Sequence, residues 1–254
     1  MNCSFLSLKG KVALVTGGSR GIGEAIALTF ADAGADIAIS SRKIQDLEKV
    51  AAKIEGMGRK ALAVSAHARK PEDLKSLVEQ VMENFGRIDV LVNNSGTNPA
   101  MAPLIDTEND LFDQIIETNL RGYFIMCKLV GKIMKGQETG HIINISSAGG
   151  VSPSKGLAAY CMSKAGINML TKQAALELGP YNVRVNAIAP RFVKTSFSKA
   201  LWTNPELMEK ETQFTPLKCV ATPDEIAQAA LFLASNAVNY MTGHILVMNG
   251  GAFF

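Results

Sequence analysis

"KVALVTGGSRGIGEAIALTF", residues 11–30, opens with a short apolar run, passes through a cluster of small residues and continues as a longer amphipathic segment. A short run bounded by turn residues reads as a strand, and the longer segment as a helix packed on one face. The alternation continues through "DIAISSR" (36–42), "IQDLEKVAAKIEGMG" (44–58), "ALAVSA" (61–66), "PEDLKSLVEQVMENFG" (71–86) and "IDVLVNNSG" (88–96). Strand and helix in turn predict an α/β fold, a doubly wound parallel sheet with helices on both faces and right-handed crossovers.

Further on, the pattern predicts a long helix from about Glu108 to Lys135, a strand in "HIINISS" (141–147) and a helix from about Ala159 to Gly179. A strand in "VRVNAIAP" (183–190), a helix in "TPDEIAQAALFLAS" (222–235) and a last strand in "HILVM" (244–248) follow. Thr222 suits an N-cap, and Pro223 the first helical position. Seven strands are expected in one domain over residues 1–254, without linker, repeat or low-complexity tract.

With 47% apolar and 19% charged residues, and 9 prolines against 22 glycines, the composition is that of a soluble globular chain. The net charge is only +3, with Lys and Arg interleaved among Asp and Glu, which argues against a nucleic-acid partner. The opening "MNCSFLSLKGK" lacks a basic start followed by an apolar core, and no apolar run approaches the ~18 residues of a membrane span. A cytoplasmic protein away from membranes is expected. Cys3, Cys127, Cys161 and Cys219 form no C-x-x-C, so reduced and mostly buried thiols are expected. His67, His141 and His244 lack helical metal-site spacing, and no metal is expected.

Gly17, Gly21 and Gly23 stand at the first strand-to-helix turn, with Ser19, Arg20 and Ile22 among them. Small residues there let backbone approach a pyrophosphate, whose charge the helix N-terminus attracts. At the tip of the second strand, about 20 residues after the glycines, an acid would bind the ribose 2′-hydroxyl of NAD, whereas Arg accommodates the 2′-phosphate of NADP. The tip reads Ser40-Ser41-Arg42, and Arg20 lies in the glycine turn, so NADP(H) is expected over NAD(H).

"TGGSRGIG", "NNSG", the Asn of "ETNLRG", the second Ser of "NISS" and "YCMSK" occur in order, and with them the sequence resembles the short-chain dehydrogenase/reductase family from Lys11 to Gly251. The resemblance implies a Rossmann-type sheet, a nicotinamide cofactor and often a homotetramer. It assigns Tyr160 as acid in carbonyl reduction and base in alcohol oxidation, and gives Lys164 the nicotinamide ribose hydroxyls as well. Tyr160 and Lys164, four apart, share a helix face. A free phenol has a pKa near ~10, and a neighbouring cation is expected to lower it toward working pH. Ser147 would orient the substrate oxygen and stabilise charge on it. Ser146 is its rival, because neighbours on a strand face opposite sides. Asn119 matches the position that binds a relay water.

By the same resemblance Asn94 and Gly96 lie beside the adenine ribose, with Ser95 where alanine is usual. Tyr160 and Lys164 also belong to the cofactor set, joined by Pro190, Val193 and Thr195, the last two against the carboxamide. His67 stands where Asp or Asn is frequent near the adenine, either as a hydrogen-bonding group titrating near ~6.5 or as a plain surface histidine. The family lid would span about 191–215, where Phe192, Phe197, Leu201, Trp202, Met208 and Phe214 offer an apolar lining or pack the lid down. Arg191 replaces the usual Gly, and either holds an anionic group or points to solvent. The apolar tail ending in Phe253 and Phe254 suits a subunit contact or its own core.

"SSRK", "TNPAMAPLID", "SPSKGLAAY" and "KTSFSKALW" most resemble the NADP-dependent carbonyl and retinal reductases, acting on a mainly apolar small-molecule carbonyl or alcohol. "IIETNL", "YMTG" and "MNGG" fit a 3-oxoacyl-thioester reductase equally. A catalytically silent cofactor-binding subunit is the alternative of another class.

Overall fold

The computed structural model describes residues 4–252, so Cys3, Phe253 and Phe254, and the expectations attached to them, lie outside the described residues. Seven strands, β1 (Val12–Thr16), β2 (Asp36–Ser41), β3 (Ala61–Ser65), β4 (Val90–Asn93), β5 (Gly140–Ile145), β6 (Val183–Pro190) and β7 (Ile245–Met248), form one sheet in the order β3-β2-β1-β4-β5-β6-β7. Every pairing is parallel. The strand order reverses between β1 and β4, which opens a crevice at their C-terminal ends.

The strands are mainly apolar because both faces are covered. Ala13 and Val15 of β1 face one core with Ile26 and Phe30 of α1 (Gly21–Asp32), Leu47 of α2 (Ile44–Gly56) and Ile226 of α9 (Pro223–Ala234). Val12 and Leu14 face the other, with Leu74 and Leu77 of α3 (Pro71–Phe85) and Met126 and Val130 of α5 (Gly122–Gln137). Period-two alternation sends neighbours to opposite cores. Thr222 caps α9 in a reciprocal capping box with Glu225, as its position suggested.

The expected long helix is divided. α4 (Asn109–Ile116) and α5 are joined by a π-helical turn over Glu117–Arg121, a widening by one residue that hydrophobic periodicity does not reveal. Asn119 sits inside it.

At the opposite end of the sheet lies a row of charge. The buried Asp89 carboxylate accepts from the Val12 N–H at 2.9 Å, from Arg87 and from Lys11, and these bonds hold its pKa low against the opposing effect of burial. Beside it His141 is pushed down to about 3, by burial first and then by Arg184 and Lys11. Folded His141 is therefore neutral where an unfolded histidine, with a pKa near ~6.5, takes up a proton. Below that value the unfolded chain gains the proton and stability falls as pH drops toward 3; above it this contribution is constant. His141→Asn should flatten the urea-unfolding stability profile across this window, by up to about 1.4 kcal/mol per pH unit. An unchanged slope would remove His141 as its source.

Among the described cysteines only Cys127 is buried; Cys161 is half-buried and Cys219 exposed, which corrects the expectation of mostly buried thiols. No helix among the described residues is long and apolar enough to cross a membrane.

Candidate active site

The C-terminal ends of the strands gather the residues singled out from the sequence. Gly17 (φ +66°) and Gly21 make the turn after β1, and a Cβ on Gly23 would collide with the Gly17 carbonyl oxygen. Arg20 occupies the N-cap of α1 without a side-chain bond, so the first N–H groups of the helix, over Gly21, Ile22 and Gly23, have no side-chain partner at the cap. With Ser19 beside them, these residues fit a phosphate cradle.

Asn94 does something the sequence did not disclose. Its side-chain amide donates to the carbonyls of Thr16 and Gly17, both at 3.1 Å, while the Asn94 and Ser95 N–H groups donate to Thr16 Oγ1 at 3.0 and 3.3 Å. It braces the glycine turn against β4, and Thr16 is its missed counterpart. Gly96 follows: a Cβ there would stand 3.6 Å from Asn119 Oδ1 and 3.8 Å from Lys164 Nζ.

Ser41 ends β2, and Arg42 follows it. The Ala66 N–H donates to the Ser41 carbonyl at 2.9 Å and Ser65 Oγ to the Arg42 carbonyl at 3.1 Å, which brings His67 beside Arg42. Arg20 and Arg42 are exposed and join no ion pair among the described residues. His67 Nδ1 accepts from the Arg69 N–H at 3.2 Å. Burial and then the charges of Arg42, Arg69 and Lys70 lower its pKa, so the expected titration near 6.5 moves to more acid pH.

At the reacting end, α6 (Ala158–Leu178) presents Tyr160 and Lys164, and Ser147 follows β5. Ser146 is buried and donates to the Lys164 carbonyl at 3.2 Å, whereas the partly exposed Ser147 accepts from the Gly149 N–H at 3.1 Å and lies near the Tyr160 side chain, both of them beside Gly149. Asn119 is fully buried, exchanging bonds with the Thr97 backbone and donating to Ser163 Oγ at 3.2 Å; Ser163 in turn donates to the Tyr160 carbonyl at 2.7 Å. Ser163 was not legible as part of this chain of contacts.

The electrostatics differ from expectation. Burial raises the Tyr160 pKa, and the nearby Ser147 hydroxyl only offsets this in part. Burial also lowers Lys164 to about 7; among the described residues the ammonium has one hydrogen bond, 2.9 Å to the Ile145 carbonyl, and it lies 5.6 Å from the centre of the Tyr160 ring. The lysine is thus a titrating cation, and the tyrosine holds its proton at neutral pH.

Pro190 ends β6; Val193 pairs with Ala221, and Thr195 lies across from Gly21, where a Cβ would stand 3.3 Å from Thr195 Cγ2. The segment expected to form the lid contains two short helices, α7 (Lys199–Trp202) and α8 (Pro205–Gln213). Trp202 Nε1 donates to the Thr195 carbonyl at 2.7 Å, so this ring fastens the lid, while Phe197 and Phe214 are exposed. The partly exposed Arg191 guanidinium pairs with Glu211 of α8 at 3.3 Å, a partner neither expectation included. A second apolar rim comes from Met101, Leu104 and Ile105, the last 92% exposed. The Ala102 N–H bond to the Gly156 carbonyl, at 3.0 Å, sets their loop against the approach to α6.

A family model described as Enoyl-(Acyl carrier protein) reductase matches residues 17–252. The chain is 36% identical over 244 residues to human Dehydrogenase/reductase SDR family member 4, covering 96% of this chain and 88% of that protein. The chain belongs to the short-chain dehydrogenase/reductase family. It is also 37% identical over 249 residues to the 3-oxoacyl-[acyl-carrier-protein] reductase FabG of Thermotoga maritima, covering 97% and 99% of the two chains. In structure it is similar to a 7 alpha-hydroxysteroid dehydrogenase complexed with NADH and 7-oxo glycochenodeoxycholic acid, with a TM-score of 0.95, 34% identity, and coverage of 99% and 98%. As a short-chain dehydrogenase/reductase the protein is an oxidoreductase whose family uses a nicotinamide cofactor.

Proposed function

We propose that this enzyme reduces the carbonyl of a mainly apolar small molecule with NADPH, Tyr160 giving the proton. The observation that carries the reading is Tyr160 and Lys164 one turn apart on α6, the lysine buried beneath the phenol ring at 5.6 Å, with the partly exposed Ser147 following β5 beside them. When bound, the cofactor supplies the hydride. Ser147 orients the carbonyl oxygen and offers a donor to the charge growing on it, and Tyr160 delivers its proton there. Lys164 supplies positive charge beneath the phenol while protonated, and Asn119 would hold a water in a proton relay to the lysine. The uncapped start of α1 receives the pyrophosphate, and Arg20 and Arg42 the 2′-phosphate, with His67 at the adenine end. The steroid dehydrogenase binds NADH, so the family alone does not choose the cofactor; the tip of β2, which carries no carboxylate, supports NADP(H).

The exposed apolar rim of Met101, Leu104, Ile105, Phe197 and Phe214 favours an apolar substrate. A 3-oxoacyl thioester is the second reading, favoured by the likeness to the Thermotoga enzyme. Following NADPH absorbance with aromatic ketones and diketones beside acetoacetyl thioesters, and NADH in parallel, decides. Turnover of the thioester alone selects the second reading; NADPH binding without turnover of any carbonyl selects the silent subunit.

Because the Arg191 guanidinium is spent on Glu211, Arg191→Gly should lower kcat/KM for neutral and anionic substrates alike, by no more than about fivefold, as for a partly exposed ion pair. A loss confined to anionic substrates would show that it meets substrate directly. Phe124, Met162, Met169 and Leu176 leave an exposed apolar stripe on α5 and α6, which supports the homotetramer; sedimentation as monomer alone would remove it. The three free described thiols suit the reducing cytoplasm.

A further inference from the structure

Tyr123, the second residue of α5, is only 2% exposed, in a place where a phenylalanine would pack without needing a polar partner. Its hydroxyl has one: it donates to the Ile145 carbonyl at 3.1 Å. That same oxygen accepts from Lys164 Nζ at 2.9 Å, and the ammonium lies 5.4 Å from the centre of the Tyr123 ring. The buried cation is thus flanked by two phenol rings, Tyr160 from its own helix and Tyr123 from the helix that follows the π-helical turn. Resting on the proposed roles of Tyr160 and Lys164, we propose that Tyr123 is a positioning residue for Lys164: its ring gives the ammonium a face to rest against, and its hydroxyl anchors that ring to the end of β5.

The physical need is plain. An ammonium taken out of water requires compensation, and Lys164 has a single hydrogen bond among the described residues. The groups facing it are Tyr160 from α6, Tyr123 from α5, Asn119 from the π-helical turn, Gly96 from the turn after β4 and the Ile145 carbonyl of β5; none is a carboxylate. An aromatic face attracts a cation through its quadrupole, more strongly where water is absent. Tyr123 does not compete for the proton. Burial, then the nearby Tyr160 and Cys127, hold its phenol well above the ordinary range, so it remains a fixed donor throughout the working pH. Its ring stabilises the charged form of Lys164, and that charge is what Tyr160 has beneath it.

The test is the pH profile of kcat for carbonyl reduction at saturating NADPH. Turnover requires protonated Lys164, so it falls as pH rises through the lysine's pKa. Tyr123→Leu removes the ring and should move that fall about one pH unit toward acid, while Tyr123→Phe keeps the ring and should stay within about 0.3 unit of the parent. A uniform loss across pH in Tyr123→Leu, with the midpoint unmoved, would mean that Tyr123 serves packing only and would overturn the inference. Where Tyr123→Leu does not fold, Tyr123→Met, which fills more of the volume, is held to the same criterion. Lys164→Met is the control for the underlying reading. If it keeps full turnover, the assigned role of the lysine fails; if it is inactive and the Tyr123→Leu midpoint stays in place, only the inference about Tyr123 fails.

Discussion

Tyr160→Phe should lower kcat by about a thousandfold, within the 10²–10⁴ range of general acid catalysis, while leaving the affinity for NADPH nearly unchanged. The variant deletes one oxygen and keeps the ring, so the half-buried side chain still fills its place against α6 and Gly149. What disappears is the hydroxyl near Ser147 that burial keeps protonated. Single-turnover absorbance at 340 nm (order-of-magnitude rates, ~10³ apart) with fluorescence titration of NADPH separates chemistry from binding. Retention of more than about a twentieth of the parent rate would assign the proton to another group.

Replacing Arg20 and Arg42 together by Ala should raise the KM for NADPH by about a hundredfold or more and leave that for NADH within a few-fold. A hydrogen bond to a charged group contributes about 1.5–3 kcal/mol, and two such groups act on one phosphate. Both guanidiniums are exposed and free of carboxylate partners among the described residues, so removing them breaks no ion pair there. Equal losses with the two cofactors would place neither arginine at the 2′-phosphate.

The strands were legible because a strand covered on both sides is mainly apolar, and Val12–Thr16 and Val90–Asn93 are short β-branched runs bounded by turn residues. The glycine turn and Tyr160 with Lys164 were legible through spacing within one local element. Contacts made across the chain were not. Nothing near Arg191 announces Glu211, and nothing near Tyr123 announces a carbonyl of β5. Nor does spacing report burial, which decides the charge on Lys164 and reverses the direction expected for Tyr160. The π-helical turn was hidden for a related reason: one added residue shifts the phase of α5 against α4 without altering which residues are apolar.

The indole bond from Trp202 to Thr195 ties the covering helices to the segment that lies across from Gly21. Under the proposed function, the cover over the substrate and the wall beside the nucleotide turn form one connected piece. An occupant of either place would then be felt at the other through a single indole.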